Sequence, residues 1–231
     1  MANASNLEYN GHTGGPMARI GVLGSGLVGE ALANGFLKHG HEVMRGSRDA
    51  QKLSSWKTQA GAKASIGNFE ETATFGDIIV CAVKGSEAES ALKLAKPENL
   101  NGKIIIDTTN PIADAPPKNG MISFFTDLNS SLMERLQSAF PDAHFVKAFN
   151  IVGHALMVDP DFAGIKPTMF ICGDDAKAKS EVSTLLDQLG WETADMGAAQ
   201  AARVIEPLCI LWLIPGFLYN DWNHAFKLLK K

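Results

Sequence analysis

The sequence predicts an α/β protein with a doubly wound, mostly parallel sheet and a short helical C-terminal extension. Three observations predict it. "DIIVCAV" and "KIIIDTT" are unbroken apolar runs of strand length, the pattern of central strands covered on both faces. Strand-like and helix-like segments alternate from Met17 to about Met196. Three glycines, Gly24, Gly26 and Gly29, punctuate the passage from the first apolar run into the first helical pattern.

Each element has its own signal. "ARIGVL" is a short apolar strand, and Leu27, Ala31, Leu32, Phe36 and Leu37 then recur at helical spacing until Gly40. "HEVMRGS" is a second strand, "QKLSSWKTQAG" a second helix stopped by Gly61, and "AKASI" a third strand. The two central runs follow, with "SEAESALKLAK" as the helix between them. Then come "SSLMERLQSAF" as helix, "HFVKAFN" and "PTMFICG" as strands, "DAKAKSEVSTLLDQLG" as helix and "WETADMG" as a last short strand. After Gly197 the alternation stops, and "AAQAARVIEPLCILWLIPGFLYNDWNHAFKLLK" reads as helix throughout, with a proline kink. That segment is too short to bury its apolar residues alone, so it packs on the sheet domain or on a second copy of the chain. The polar, glycine-rich residues 1–16 read as a flexible leader. The expected division is thus 1–16, a nucleotide-binding domain at 17–196, and a helical segment at 197–231.

Composition narrows the function classes. With 45% hydrophobic and 20% charged residues the chain is an ordinary globular one, and a net charge of -4 gives no overall attraction for nucleic acid or an anionic membrane. Cys81, Cys172 and Cys209 lie among apolar residues without metal-ligand spacing and read as the buried, reduced thiols expected of a cytoplasmic protein. No metal site is expected. The longest apolar stretch, from Leu208, is broken by Pro215 and Gly216 and falls short of the roughly 20 residues of a membrane span.

The chemistry-bearing motif is G-x-G-x-x-G at Gly24, Gly26 and Gly29, placed directly after a strand and opening a helix. There the first glycine allows the tight turn and the second admits a pyrophosphate to the backbone. The third lets helix and strand pack closely, and the helix N-terminus presents unpaired N–H groups. This makes the fold Rossmann-type. Choice of dinucleotide is decided at the end of the second strand, where a carboxylate would favour NAD by accepting hydrogen bonds from ribose hydroxyls. "MRGSRDAQK" offers Ser47, Arg48 and, one turn further, Lys52, a neutral donor and two cations suited to the 2'-phosphate of NADP(H). The competing reading makes Arg48 and Lys52 solvated surface charges and Asp49 a helix cap. At the carboxyl edge of the sheet, Asn110 ranks above Asp107, Thr108 and Thr109 as a candidate, although an Asn-Pro pair also has a turn-forming use. His154 could donate to an acceptor carbonyl, but a helix-end histidine with a backbone partner is the favoured reading. Glu206 could face the cleft, but an exposed helix-start carboxylate is the favoured reading. No triad or metal motif stands out, which suits hydride transfer between two ring systems.

These motifs resemble the NADP oxidoreductase family that includes the deazaflavin (coenzyme F-420) dependent NADP reductases and the cytosolic domain of the six-transmembrane epithelial antigen of the prostate metalloreductases. "IGVLGSGLVGEALA", "GSRDAQK", "DTTNPI", "VKAFNIVG", "ICGDDAKAK" and "ARVIEPL" carry the resemblance, from Met17 to Leu213. It implies NADPH held at the diphosphate by Ser25, Gly26, Leu27 and Val28, and at the 2'-phosphate by Ser47, Arg48 and Lys52. Ala82 and Val83 would lie along the ribose and nicotinamide, and Asn110, Ala148 and Asn150 would hold the nicotinamide end. It also implies a flavin or deazaflavin acceptor, with a metal chelate reduced through a flavin as a variant, and a homodimer formed through the helical C-terminal segment. The loop "ADAPPKNGMISF" and the tail after Pro215 depart from the deazaflavin reductases and leave the small-molecule acceptor open. Two other readings stand beside this one. A non-catalytic NADPH-binding redox sensor is compatible with the residues, whereas a pyrroline-carboxylate or hydroxyacid-type reductase would need a larger helical domain.

Overall fold

The computed structural model describes residues 17–231, so the expected leader lies outside the described residues. Six parallel strands form the main sheet, in the order β3 (Ala64–Gly67), β2 (Glu42–Gly46), β1 (Arg19–Leu23), β4 (Ile78–Cys81), β5 (Ile104–Asp107), β6 (His144–Lys147). The chain starts in the middle, winds outward to β3, then returns to β4 and winds the other way. The direction of winding reverses between β1 and β4, and there the carboxyl ends of the strands leave a crevice. Every residue of β4 and β5 is buried, as their unbroken apolar runs require.

Helices α1 (Leu27–Lys38), α2 (Ser54–Gln59), α4 (Ala88–Leu94), α5 (Leu132–Ala139) and α6 (Ala176–Gln188) fall where periodicity placed them. α1 buries Leu32, Ala33 and Phe36, and each large side chain among these contributes roughly 1.5–3 kcal/mol. α3 (Phe69–Phe75) was not expected from the apolar pattern. Its signal was local: the Asn68 side chain accepts from Glu71 N at 2.9 Å while the Glu71 carboxylate accepts from Asn68 N at 2.8 Å, a capping box that starts a helix whatever its hydrophobic spacing. This helix carries the chain from β3 back to β4.

Beyond β6 the sheet changes character. β7 (Thr168–Ile171) and β8 (Glu192–Asp195) form a separate parallel pair, joined to β6 by one antiparallel bridge, Lys147 to Cys172. The sheet is therefore six strands plus two.

The C-terminal segment is not helix throughout. After a short 3-10 turn, α7 (Ala202–Tyr219) runs through Pro207 and Pro215 and ends at Asn220, whose φ of 55° is the left-handed conformation that closes helices. The remaining residues fold back along β7, with Thr168 N donating to Phe226 O at 2.8 Å and Leu228 N donating to Thr168 Oγ1 at 3.1 Å. Trp222 packs on Gly216 and lies 5.8 Å, ring to ring, from Trp212. Because Pro215 does not break the helix, Ala199–Tyr219 form a continuous 21-residue run that by length and composition could cross a membrane, contrary to the expectation of a shorter stretch. A third of its most apolar part is buried in the domain, through Ile205, Cys209 and Trp212.

Candidate functional site

A cleft of about 650 Å³ opens at the crevice between β1 and β4. Its lining includes Gly24, Ser25, Gly26, Leu27 and Val28 from the β1–α1 turn, Ser47, Arg48 and Lys52 after β2, and Ala82 and Val83 after β4. Ten of the expected cofactor residues thus meet in one place.

The three glycines are not equivalent. Gly24 has φ of 147°, and a Cβ there would lie 2.2 Å from Ala82 O; at Gly29 it would lie 2.7 Å from Gly24 O. Both are closed by the protein's own backbone, so they shape the turn. A Cβ on Gly26 would meet nothing within 4 Å. The space over Gly26 belongs to the cleft, at the start of a helix with no side-chain cap, where first-turn N–H groups lack intrahelical partners. This cradle fits a diphosphate, as the motif requires.

Around the β2 loop the charges divide by burial. Arg45 is wholly buried on β2, donates to Glu30 at 3.2 Å and to Gly26 O at 3.3 Å, and stacks 4.9 Å from the Trp56 ring centroid. Its charge is spent on the protein; burial pulls its pKa below the ordinary arginine value, with Glu30 opposing. Arg48 is 74% exposed, with one loose ionic contact to Glu87 at 3.9 Å, and Lys52 is also exposed. Asp49 does cap the following turn, accepting from Gln51 N at 3.1 Å. That part of the competing reading holds; capping uses Asp49, and both cations still line the cleft. Lys84, Glu87 and Thr108 also line it. Lys84 and Glu87 carried no motif, since only the fold of the β4–α4 turn brings them opposite β2.

The nicotinamide-end candidates lie deeper than expected. Ala148 and Asn150 are buried, and neither they nor Asn110 line the cleft. Two of them are crossed with each other: Asn110 Nδ2 donates to Asn150 O at 2.8 Å, and Asn150 Nδ2 donates to Asn110 Oδ1 at 3.1 Å and Ile205 O at 3.2 Å. Thr108, ranked below Asn110, is the residue of that loop that reaches the cleft, its hydroxyl donating to Cys81 O at 3.0 Å. His154 is exposed at the cleft rim, at the start of a short 3-10 turn, and its ring has no hydrogen-bond partner among the described residues. The favoured reading of a backbone-bonded helix-end histidine is therefore corrected.

Glu206 is the larger correction. It is buried, its carboxylate accepts from Leu132 N and Met133 N at 3.0 Å each, and it lies 2.9 Å from Lys147 Nζ. Sequence reasoning took it for an exposed carboxylate because Lys147 is distant in the chain. Lys147 lies in turn 2.7 Å from Asp107 Oδ2, an ionic contact off the hydrogen-bonding direction. Burial works against its ammonium, but Asp107 and Glu206 outweigh it and hold the pKa above the ordinary lysine value. The three cysteines are buried as expected; burial pushes the Cys81 thiol well up, and Cys172 and Cys209 to about 12. All three stay protonated at neutral pH and are poor nucleophiles. No cluster of metal ligands occurs among the described residues.

Comparison with known proteins identifies the family. Residues 19–111 match the family model for NADP oxidoreductase, coenzyme F420-dependent. The chain is 30% identical to the F420-dependent NADP reductase of Methanocaldococcus jannaschii, covering 91% of this chain and 97% of that protein. It is 32% identical to the metalloreductase STEAP3 of Rattus norvegicus over 87% of this chain but only 39% of that protein, so it spans about two fifths of that longer relative. A crystal structure from an Arthrobacter species, described as a candidate F420-dependent NADP-reductase, superimposes with a TM-score of 0.85 at 34% identity, covering 93% of this chain and all of that one.

Proposed function

We propose that this chain, which belongs to the NADP oxidoreductase, coenzyme F420-dependent family, is an NADP-dependent oxidoreductase that transfers hydride between NADP(H) and a flavin or deazaflavin in the β1–β4 cleft. One observation carries this reading: a single cleft holds both the open cradle over Gly26 and the exposed cations Arg48 and Lys52. Ser47, Arg48 and Lys52 would grip the 2'-phosphate, and the N–H groups at the start of α1 the diphosphate. Ala82, Val83 and Thr108 would line the nicotinamide half, backed by Asn110, Ala148 and Asn150. When bound, NADPH supplies the hydride. The protein's own share is to hold two rings together and keep water out, and no ionisable group has to change state. His154, exposed at the cleft, would donate to an acceptor carbonyl.

Stopped-flow mixing of the NADPH-loaded protein with FMN, FAD, riboflavin and F-420 tests the reading: catalytic loss of nicotinamide absorbance with one acceptor supports it, and tight binding without turnover of any would make the protein a sensor. The identity to a metalloreductase favours a second reading, in which a ferric chelate is reduced through the flavin; that predicts chelate reduction only when flavin is added. We further propose a homodimer through α7, whose outward stripe Val204, Leu211 and Leu218 is about half exposed or more, and a cytoplasmic setting in keeping with the free thiols. Leu211→Asp should then sediment as a monomer.

A further inference from the structure

Asp107 ends β5, Lys147 ends β6 and Glu206 lies in α7, and all three are buried with their charges in contact. A buried ionic cluster of this kind is poor evidence for stability, because well-packed neutral residues of the same volume usually do as well or better. What the cluster does hold is a loop. Asp107 Oδ1 accepts from Thr109 N at 2.9 Å and from Thr109 Oγ1 at 2.7 Å, and Lys147 Nζ donates to Thr109 O at 2.9 Å. Thr109 is thus fixed at its amide, hydroxyl and carbonyl. Its neighbour Thr108 lines the cleft and is tied to Cys81 on β4, and its other neighbour, Asn110, is crossed with Asn150. Asn150 bonds the carbonyl of Ile205, next to Glu206. The same α7 turn grips the start of α5 through Glu206 and through the Arg203–Glu134 pair at 2.6 Å.

We propose that Lys147 and Glu206 are positioning residues for hydride transfer: the buried cluster locks the 107–110 loop, and with it the cleft wall on the β4–β5 side, to the seat of α7. In a doubly wound fold that binds adenosine on the β1–β2 side, this wall faces the nicotinamide half. The role rests on the NADP(H) reading above. It places the sensitivity of the reaction in residues that touch neither ring and lie outside the cleft lining.

The test compares the wild type with the uncharged variant Asp107→Asn/Lys147→Met/Glu206→Gln, which removes all three charges without stranding one, and with the milder Glu206→Gln should the triple variant fail to fold. Three readouts separate positioning from stability. NADPH affinity should stay within about twofold, as the phosphate contacts lie at the far end of the cleft. Amide exchange at residues 108–110 and 148–152 of the ligand-free protein should speed up. The rate of hydride transfer from bound NADPH to whichever flavin the wild type reduces should fall roughly ten- to hundredfold, with loss of the wild-type emission of bound NADPH. Unchanged exchange, or faster exchange with unchanged emission and transfer, overturns the proposal, as does a rate loss matched by an equal loss of NADPH affinity. A wild type that binds NADPH but reduces no acceptor sinks the reductase reading alone, and emission then decides the positioning role. A wild type that does not bind NADPH sinks both.

Discussion

The two ends of the cleft handle charge in opposite ways. At the β2 end, Arg48 is 74% exposed and its contact with Glu87 is 3.9 Å long. At the β5–β6 end, Lys147 is fully buried within 2.9 Å of two carboxylates and a carbonyl. An exposed cation loses little by exchanging water for a phosphate, so it can serve a ligand. A buried cation held between two carboxylates and a carbonyl can only be disrupted by one, so it serves the scaffold. Arg45 makes the same point within a single strand and its loop: three residues before Arg48, it is consumed by Glu30, Gly26 and Trp56.

The sharpest way to break the comparison is at its buried end. Lys147→Met alone strands two carboxylates and should cost about 3–5 kcal/mol of stability, read as a lowered midpoint in urea unfolding; a cost below about 1 kcal/mol would show that the cluster is hydrated. At the exposed end, Arg48→Glu should leave the unfolding midpoint in place yet weaken NADPH about a hundredfold, with NADH little changed, since each charge-assisted bond is worth about 1.5–3 kcal/mol. Calorimetry with both dinucleotides checks this, and equal weakening of the two would remove Arg48 from the 2'-phosphate. The glycines sharpen the contrast further. Gly24→Ala should cost about 1–3 kcal/mol of folding stability, because its φ of 147° and the Ala82 carbonyl leave no room. Gly26→Ala should fold normally and lose on the order of tenfold in NADPH affinity. The smallest effect expected is at Glu87: Glu87→Gln frees Arg48 from an exposed pair worth about 0.2–1 kcal/mol, so NADPH should bind a few-fold more tightly.

Much of this architecture was legible in the chain because it rests on local rules. The unbroken runs of β4 and β5, the strand–glycine–helix passage at Gly24 and the cations after β2 all announce themselves within a dozen residues. α3 was legible too, but through its Asn68–Glu71 capping box rather than its apolar spacing. The end of α7 could have been read from Asn220, a residue that tolerates the left-handed cap. Its apolar neighbours Trp222 and Phe226 instead prolonged the helical pattern, although they pack back on Trp212 and Phe170.

The sequence by itself determined the winding of the sheet, the glycine turn and the character of the β2 loop, since each follows from backbone sterics and side-chain chemistry acting over short spans. Only the tertiary structure decided which charges are free and which are spent. Lys147 and Glu206 stand 59 positions apart, and Asp107 a further 40 before Lys147; their meeting is set by the ends of β5 and β6 and the seat of α7. Burial, which turns a surface charge into a structural one, belongs to the assembled fold and to no single stretch of the chain.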